Sequence, residues 1–142
     1  MAIDQYPRDY LYKRVVQAKL YIDANYARKI EVAGISDEAY FSKFHFIRLF
    51  KQIYGKTPHQ YLTFVRVENA MQLLRANQPI ADVCQAVGFE TLSAFSSVFK
   101  RRVGLTPSAF KAQQMQQQIQ ILKAPLNFVP GCVVYQHGFG EK

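Results

Sequence analysis

The chain has 142 residues, 49% of them hydrophobic and 14% aromatic. That suffices for an ordinary core without disulfide or metal staples, and leaves no room for a large separate ligand-binding domain. A net charge of +8 and a pI near 9.6 point to a polyanionic partner, although charge alone does not separate DNA from RNA or a membrane surface.

The amino-terminal MAIDQYPRDY lacks a basic run before an apolar stretch, and nowhere do about 18 apolar residues follow one another. A soluble, cytoplasmic chain with no membrane partner is therefore expected. The first predicted helix covers residues 11–24, where Leu11, Val15, Ala18 and Ile22 share one face. A short helix follows around Val32, Ile35, Ser36 and Ala39, weakened by Gly34 and ending at a turn near Tyr40. Ser42 is the expected N-cap of a helix from Lys43 to about Tyr54. Thr57-Pro58 opens a long helix to about Arg75. After Pro79, the residues Ile80, Val83, Cys84 and Val87 fall at i, i+3, i+4 and i+7, the mark of a short helix, and Gly88 supplies a turn. Phe95, Val98, Phe99 and Arg102 repeat the spacing on the next helix, which Gly104 and Pro107 end. Ser108 is the expected N-cap of a Gln-rich helix reaching about Lys123. The rest, with three glycines, two prolines and a short apolar run from Cys132 to Tyr135, reads as extended chain or loop.

An internal duplication organises these elements. Phe46, Phe50, Lys51, Gly55, Thr57, Pro58 and Tyr61 recur 49 residues later as Phe95, Phe99, Lys100, Gly104, Thr106, Pro107 and Phe110. Upstream the pairing holds at 48, with Val32, Ile35, Ser36, Ala39 and Phe41 matching Ile80, Val83, Cys84, Val87 and Phe89. Two copies are a duplicated supersecondary unit, not a solenoid. The expected fold class is all-α: tandem helix-turn-helix subdomains joined by a long linking helix. The segments are 1–56 for the first helix and first unit, 57–77 for the linking helix, 78–123 for the second unit and last helix, and 124–142 for the tail.

A helix-turn-helix lays its second helix in the major groove of duplex DNA. In the first copy the inward face of that helix is Phe46, Leu49, Phe50 and Ile53. The opposite stripe is Phe44, Ile47, Arg48 and Lys51. Arg can bond a guanine bidentately while apolar side chains touch thymine methyls, so this mixed stripe suits base reading better than a merely solvated face. The second copy offers Ser93, Ser96, Ser97 and Lys100, with Leu92 at the edge; serines make weak, adaptable base contacts. Lys43, Lys51, Lys56, Lys100 and Arg101 are the expected phosphate contacts, which position the protein without carrying sequence information. Between Lys43 and Lys111, ten Lys and Arg face three acids, so +7 of the net charge lies in this region.

Chemistry of other kinds finds little footing. Cys84 and Cys132 lack metal-ligand spacing, and His45 and His59 lack a second ligand at such spacing, so no metal or cofactor is expected. Paired carboxylates, a Gly-rich phosphate loop and a nucleophile elbow are all missing, which argues against an enzyme. An RNA-binding or protein-docking helical module is the alternative.

From about Ile30 to Phe110 the chain resembles the DNA-binding domain of the AraC/XylS family of transcription regulators. The likeness is carried by FSKFHFIRLFKQIYGKTPHQYL, VRVENAMQLL and IADVCQAVGFETLSAFSSVFKRRVGLTPSAF, in which the G-F, F-x3-F-K, G-x-T-P and Arg-x3-Ala-x2-Leu-Leu elements occur in order. The resemblance implies that Phe44, Ile47 and Arg48, with Leu92, Ser93 and Ser97, occupy base-contacting positions. It also implies RNA polymerase as a partner. Many members are fused to an effector domain, and none is expected within these residues. Because both reading helices lie in one chain, binding as a monomer is expected.

Overall fold

The computed structural model describes residues 8–30 and 43–123. The short helix expected around residues 32–39, Gly34, Tyr40, the Ser42 cap and the tail with Cys132 lie outside the described residues. Those described form six helices and no strand: α1 (Arg8–Asn25), α2 (Lys43–Tyr54), α3 (Pro58–Arg75), α4 (Ile80–Ala86), α5 (Leu92–Val103) and α6 (Pro107–Lys123).

Helical spacing of apolar residues builds two cores on one shared strut. Leu11, Val15, Ala18 and Ile22 of α1 meet Phe46, Leu49 and Phe50 of α2, closed by Leu62 near the start of α3. Further along α3, Val67, Ala70 and Leu74 pack with Val83 and Cys84 of α4, Phe95 and Phe99 of α5 and Phe110 of α6. The linking helix thus belongs to both units.

The duplication is repeated in atomic detail at the helix ends. Gly55, at φ +77°, donates its N–H to Lys51 O at 2.7 Å; Gly104, at φ +90°, donates to Lys100 O at 2.8 Å. Thr57 Oγ1 then accepts from Gln60 N at 3.2 Å while Gln60 Oε1 accepts from Thr57 N at 3.0 Å, a capping box that starts α3. At α6 the cap is Thr106, whose Oγ1 accepts from Ala109 N at 3.2 Å. This corrects the expectation that Ser108 caps the last helix. Pro107, with no N–H and a preset φ, takes the first helical position, so the cap must precede it and Ser108 falls inside the first turn.

α3 ends in a Schellman motif. Gln78 N donates to Leu73 O at 3.1 Å and Asn77 N to Leu74 O at 3.0 Å, with Asn77 in the left-handed region at φ +63°. The same motif makes the turn of the second unit, where Phe89 N donates to Cys84 O at 3.1 Å and Gly88 N to Gln85 O at 3.2 Å. Gly88 sits at φ +93°, which a side chain would strain.

Candidate nucleic-acid interface

Burial of one face of each reading helix decides what the other can present. On α2, Phe46, Leu49 and Phe50 are buried, so the rotation of about 100° per residue turns Phe44, Arg48 and Lys51 to solvent. Phe44 is 77% exposed. Lys43 is exposed beside it. Ile47 differs from the expectation: it is half-buried and packs against the first core, offering only part of its side chain.

On α5, Phe95 and Phe99 are buried, and Thr91 caps the helix by accepting from Ala94 N at 3.1 Å. Leu92 is 50% exposed; Ser93, Ser97, Lys100 and Arg101 are exposed, and Ser96 is half-buried. The two stripes differ in chemistry. The first carries an aromatic ring, a branched aliphatic and a guanidinium; the second carries hydroxyls, with its cations gathered in the last turn.

The basic region divides once partners are assigned. Lys56 Nζ lies 4.8 Å above the Phe64 ring, and Arg75 lies 5.6 Å from the Phe110 ring. Arg102 donates to Gln60 O at 3.3 Å and Lys111 to Gln78 O at 2.8 Å. Arg66 faces inward, donating to Tyr26 O at 2.8 Å and Arg28 O at 2.9 Å. Among the described residues, the side chains of Lys43, Arg48, Lys51, Lys100 and Arg101 meet no such partner. These five project from α2 and α5, where they are available to an outside anion. Five of the ten cations in this region are therefore engaged within the domain, and of the five expected phosphate contacts only Lys56 is among them.

The signal that Arg66 turns inward was present in the spacing. Leu62, Arg66, Ala70 and Leu74 form an i, i+4, i+8, i+12 line, and Leu62, Ala70 and Leu74 are buried. Burial lowers the pKa of Arg66, and the two carbonyls compensate the desolvated guanidinium.

Cys84 is a packing residue. Its Sγ lies 3.5 Å from Thr91 O and 3.8 Å from Phe89 O, and burial pushes its pKa up, away from a reactive thiolate. Among the described residues no group of three or more His, Cys, Asp and Glu could hold a metal ion. No described helix is long and apolar enough to cross a membrane.

Residues 35–113, more than half the chain, match the family model described as a helix-turn-helix domain. The chain belongs to the AraC/XylS family. LumQ of Photobacterium leiognathi, a probable transcriptional regulator, is 38% identical over 64% of this chain and 37% of its own length. AdaA of Bacillus subtilis, a bifunctional transcriptional activator and DNA repair enzyme, is 32% identical over 69% of this chain and 47% of its own. The match thus spans less than half of these AraC/XylS relatives. The DNA-binding domain of AdpA, solved in complex with a target DNA, superposes with a TM-score of 0.69 at 25% identity, covering 75% of this chain and 96% of that one. What is shared with these proteins is the all-helical AraC-type DNA-binding domain.

Proposed function

We propose that the chain is a sequence-specific transcription regulator that binds duplex DNA as a monomer, laying α2 and α5 in successive major grooves. Phe44, Ile47 and Arg48 read bases from the first groove. Leu92, Ser93, Ser96 and Ser97 line the second. Lys43, Lys51, Lys56, Lys100 and Arg101 hold phosphates, with Lys56 leaving the Phe64 ring to do so. The observation that carries this reading is the α2 stripe: a phenyl ring 77% exposed next to Arg48, which has no partner among the described residues, on the face opposite the buried Phe46 and Phe50. A large apolar group beside a cation has a use against thymine methyls and guanine edges.

Regulation follows through contact with RNA polymerase once the domain is on its site, in the cytoplasm and without catalysis or cofactor. The Cys84 thiol fits a packing role, held as a hydrogen-bond donor to Thr91 O.

Competition between duplex DNA and RNA, with a salt titration, tests the reading. With about six phosphates engaged, log affinity for duplex falls against log salt with a slope of roughly −5. A footprint should span two adjacent grooves on one face of the duplex with one chain per site. A flat salt plot, a preference for RNA, or a palindromic site holding two chains would overturn it.

A further inference from the structure

The linking helix is the covalent bridge between the two units, and each unit packs on its own stretch of it. How firmly the units are held against each other also depends on what touches across the junction. α3, 18 residues long, is about 27 Å from end to end, and Arg66 lies at its middle.

We propose that Arg66 is a positioning residue that locks the two reading helices in one relative register, and thereby sets the spacing between the half-sites the protein accepts. This rests on the two-groove reading above. Arg66 reaches both sides of the junction. Its Nε donates to Tyr26 O at 2.8 Å and its Nη2 to Arg28 O at 2.9 Å, gripping the segment that follows α1 in the first unit. Its guanidinium carbon lies 5.7 Å from the Phe89 ring in the turn of the second unit. One planar group thus joins α3 to both units, with its fork on two carbonyls and its central carbon over an aromatic ring. A lysine has neither the fork nor the plane.

Gly88 supplies an independent second contact. A Cβ built there would lie 2.9 Å from Tyr26 O and 3.0 Å from Ala27 C and O. The obstacles are backbone atoms, so no side chain can swing away to make room. The turn of the second unit is therefore seated directly on the backbone segment that Arg66 grips. Tyr26 itself packs against both cores. The result is a three-way joint of α3, residues 26–28 and the Gly88–Phe89 turn. A joint of this kind converts two tethered DNA readers into one rigid ruler.

The test uses the full chain and a selected duplex, together with duplexes carrying one base pair inserted or deleted between the half-sites. One base pair moves a half-site by roughly 3.4 Å along the axis and about 36° around it. A locked protein loses at least one set of base contacts for that shift, so wild type should prefer its own spacing by on the order of tenfold or more. Arg66→Ala and the milder Arg66→Lys should flatten that preference to within about threefold, while a duplex holding only the first half-site is bound as by wild type. Circular dichroism and thermal melting identify which variants remain folded, and Arg66→Lys, which keeps the stem and charge, stands in if the alanine variant unfolds. Arg75→Ala, which loses a ring contact within the second unit only, should keep the wild-type preference. A folded Arg66→Lys or Arg66→Ala protein that keeps the full spacing preference overturns the joint and leaves the two-groove reading standing. A wild type indifferent to spacing overturns that reading, and the joint with it.

Discussion

In the first unit Phe50 meets Tyr61 at 5.9 Å with an interplanar angle of 61°; in the second Phe99 meets Phe110 at 5.5 Å and 69°. The neighbouring pairs, Phe46 with Phe50 and Phe95 with Phe99, are 6.1 and 5.7 Å apart. Glycine, threonine and proline then end one helix and start the next in both. Outside, the units share little beyond a lysine, for Phe44, Ile47 and Arg48 stand where the second unit has Ser93, Ser96 and Ser97. Shape inside is what a helix-turn-helix needs in order to exist, so a duplicated unit must keep it. The outward stripe is free to diverge, and the sequence it recognises diverges with it.

The largest expected effect breaks the likeness of the cores. Phe50→Ala and Phe99→Ala should each destabilise the protein by about 3–5 kcal/mol, because each removes a fully buried ring and leaves a cavity. Urea unfolding followed by circular dichroism measures both. Costs that differ by more than about 2 kcal/mol would mean that the cores are alike in outline but not in how far they relax.

Next come the stripes. Arg48→Ala should cost about 1–3 kcal/mol on the preferred duplex and relax the choice of base at one position, whereas Lys100→Ala should weaken every duplex alike. Ser97→Ala should cost at most about 1 kcal/mol, the size of a neutral hydrogen bond. Binding to selected and random duplexes separates these outcomes. Equal losses on both duplexes for Arg48→Ala would move Arg48 from the base-reading set to the phosphate set.

Much of this was legible in the residues themselves. The helix from Lys43 to Tyr54 and the long helix from Thr57-Pro58 to Arg75 follow from apolar spacing and from Thr-Pro and Gly punctuation, which are local signals. The buried faces follow for the same reason, since a helix with Phe at i and i+4 has one side to hide. What spacing could not give is which cations point outward. Lys56, Arg75, Arg102 and Lys111 look like interface in a charge count, yet each is engaged by a ring or carbonyl, in all but Lys56 far away in sequence or on another helix. Ser108 misled because a serine after proline has the composition of a cap, while proline's missing N–H moves the cap back to Thr106. The close seat of Gly88 on residues 26 and 27 is likewise a tertiary fact, of which the sequence offers only a glycine.

The smallest expected effect on stability lies where the inner likeness itself fails, at Tyr61, which the second unit replaces with Phe110. Tyr61 Oη donates to Asp23 Oδ1 at 2.5 Å, and Asp23 Oδ2 takes Lys19 Nζ at 2.7 Å. Burial first, and then the bond to Asp23, hold the Tyr61 pKa above its ordinary value near 10. The Lys19 pKa is also raised, chiefly by its hydrogen bond to Asp23. Both groups keep their protons in the folded chain at a pH where the unfolded chain has begun to release them. Their contribution is therefore complete below about pH 10 and is lost as pH rises through the raised values. Tyr61→Phe keeps the ring against Phe50 and Tyr54 but removes the hydroxyl, making the first unit resemble the second. It should cost about 1 kcal/mol at neutral pH, because Asp23 retains Lys19 as a partner. It should also make the alkaline loss of stability shallower, leaving the part that comes from Lys19. Melting temperatures between pH 7 and about pH 11 measure both expectations, and an unchanged alkaline slope would mean that the folded chain does not hold the Tyr61 proton more tightly than the unfolded chain does.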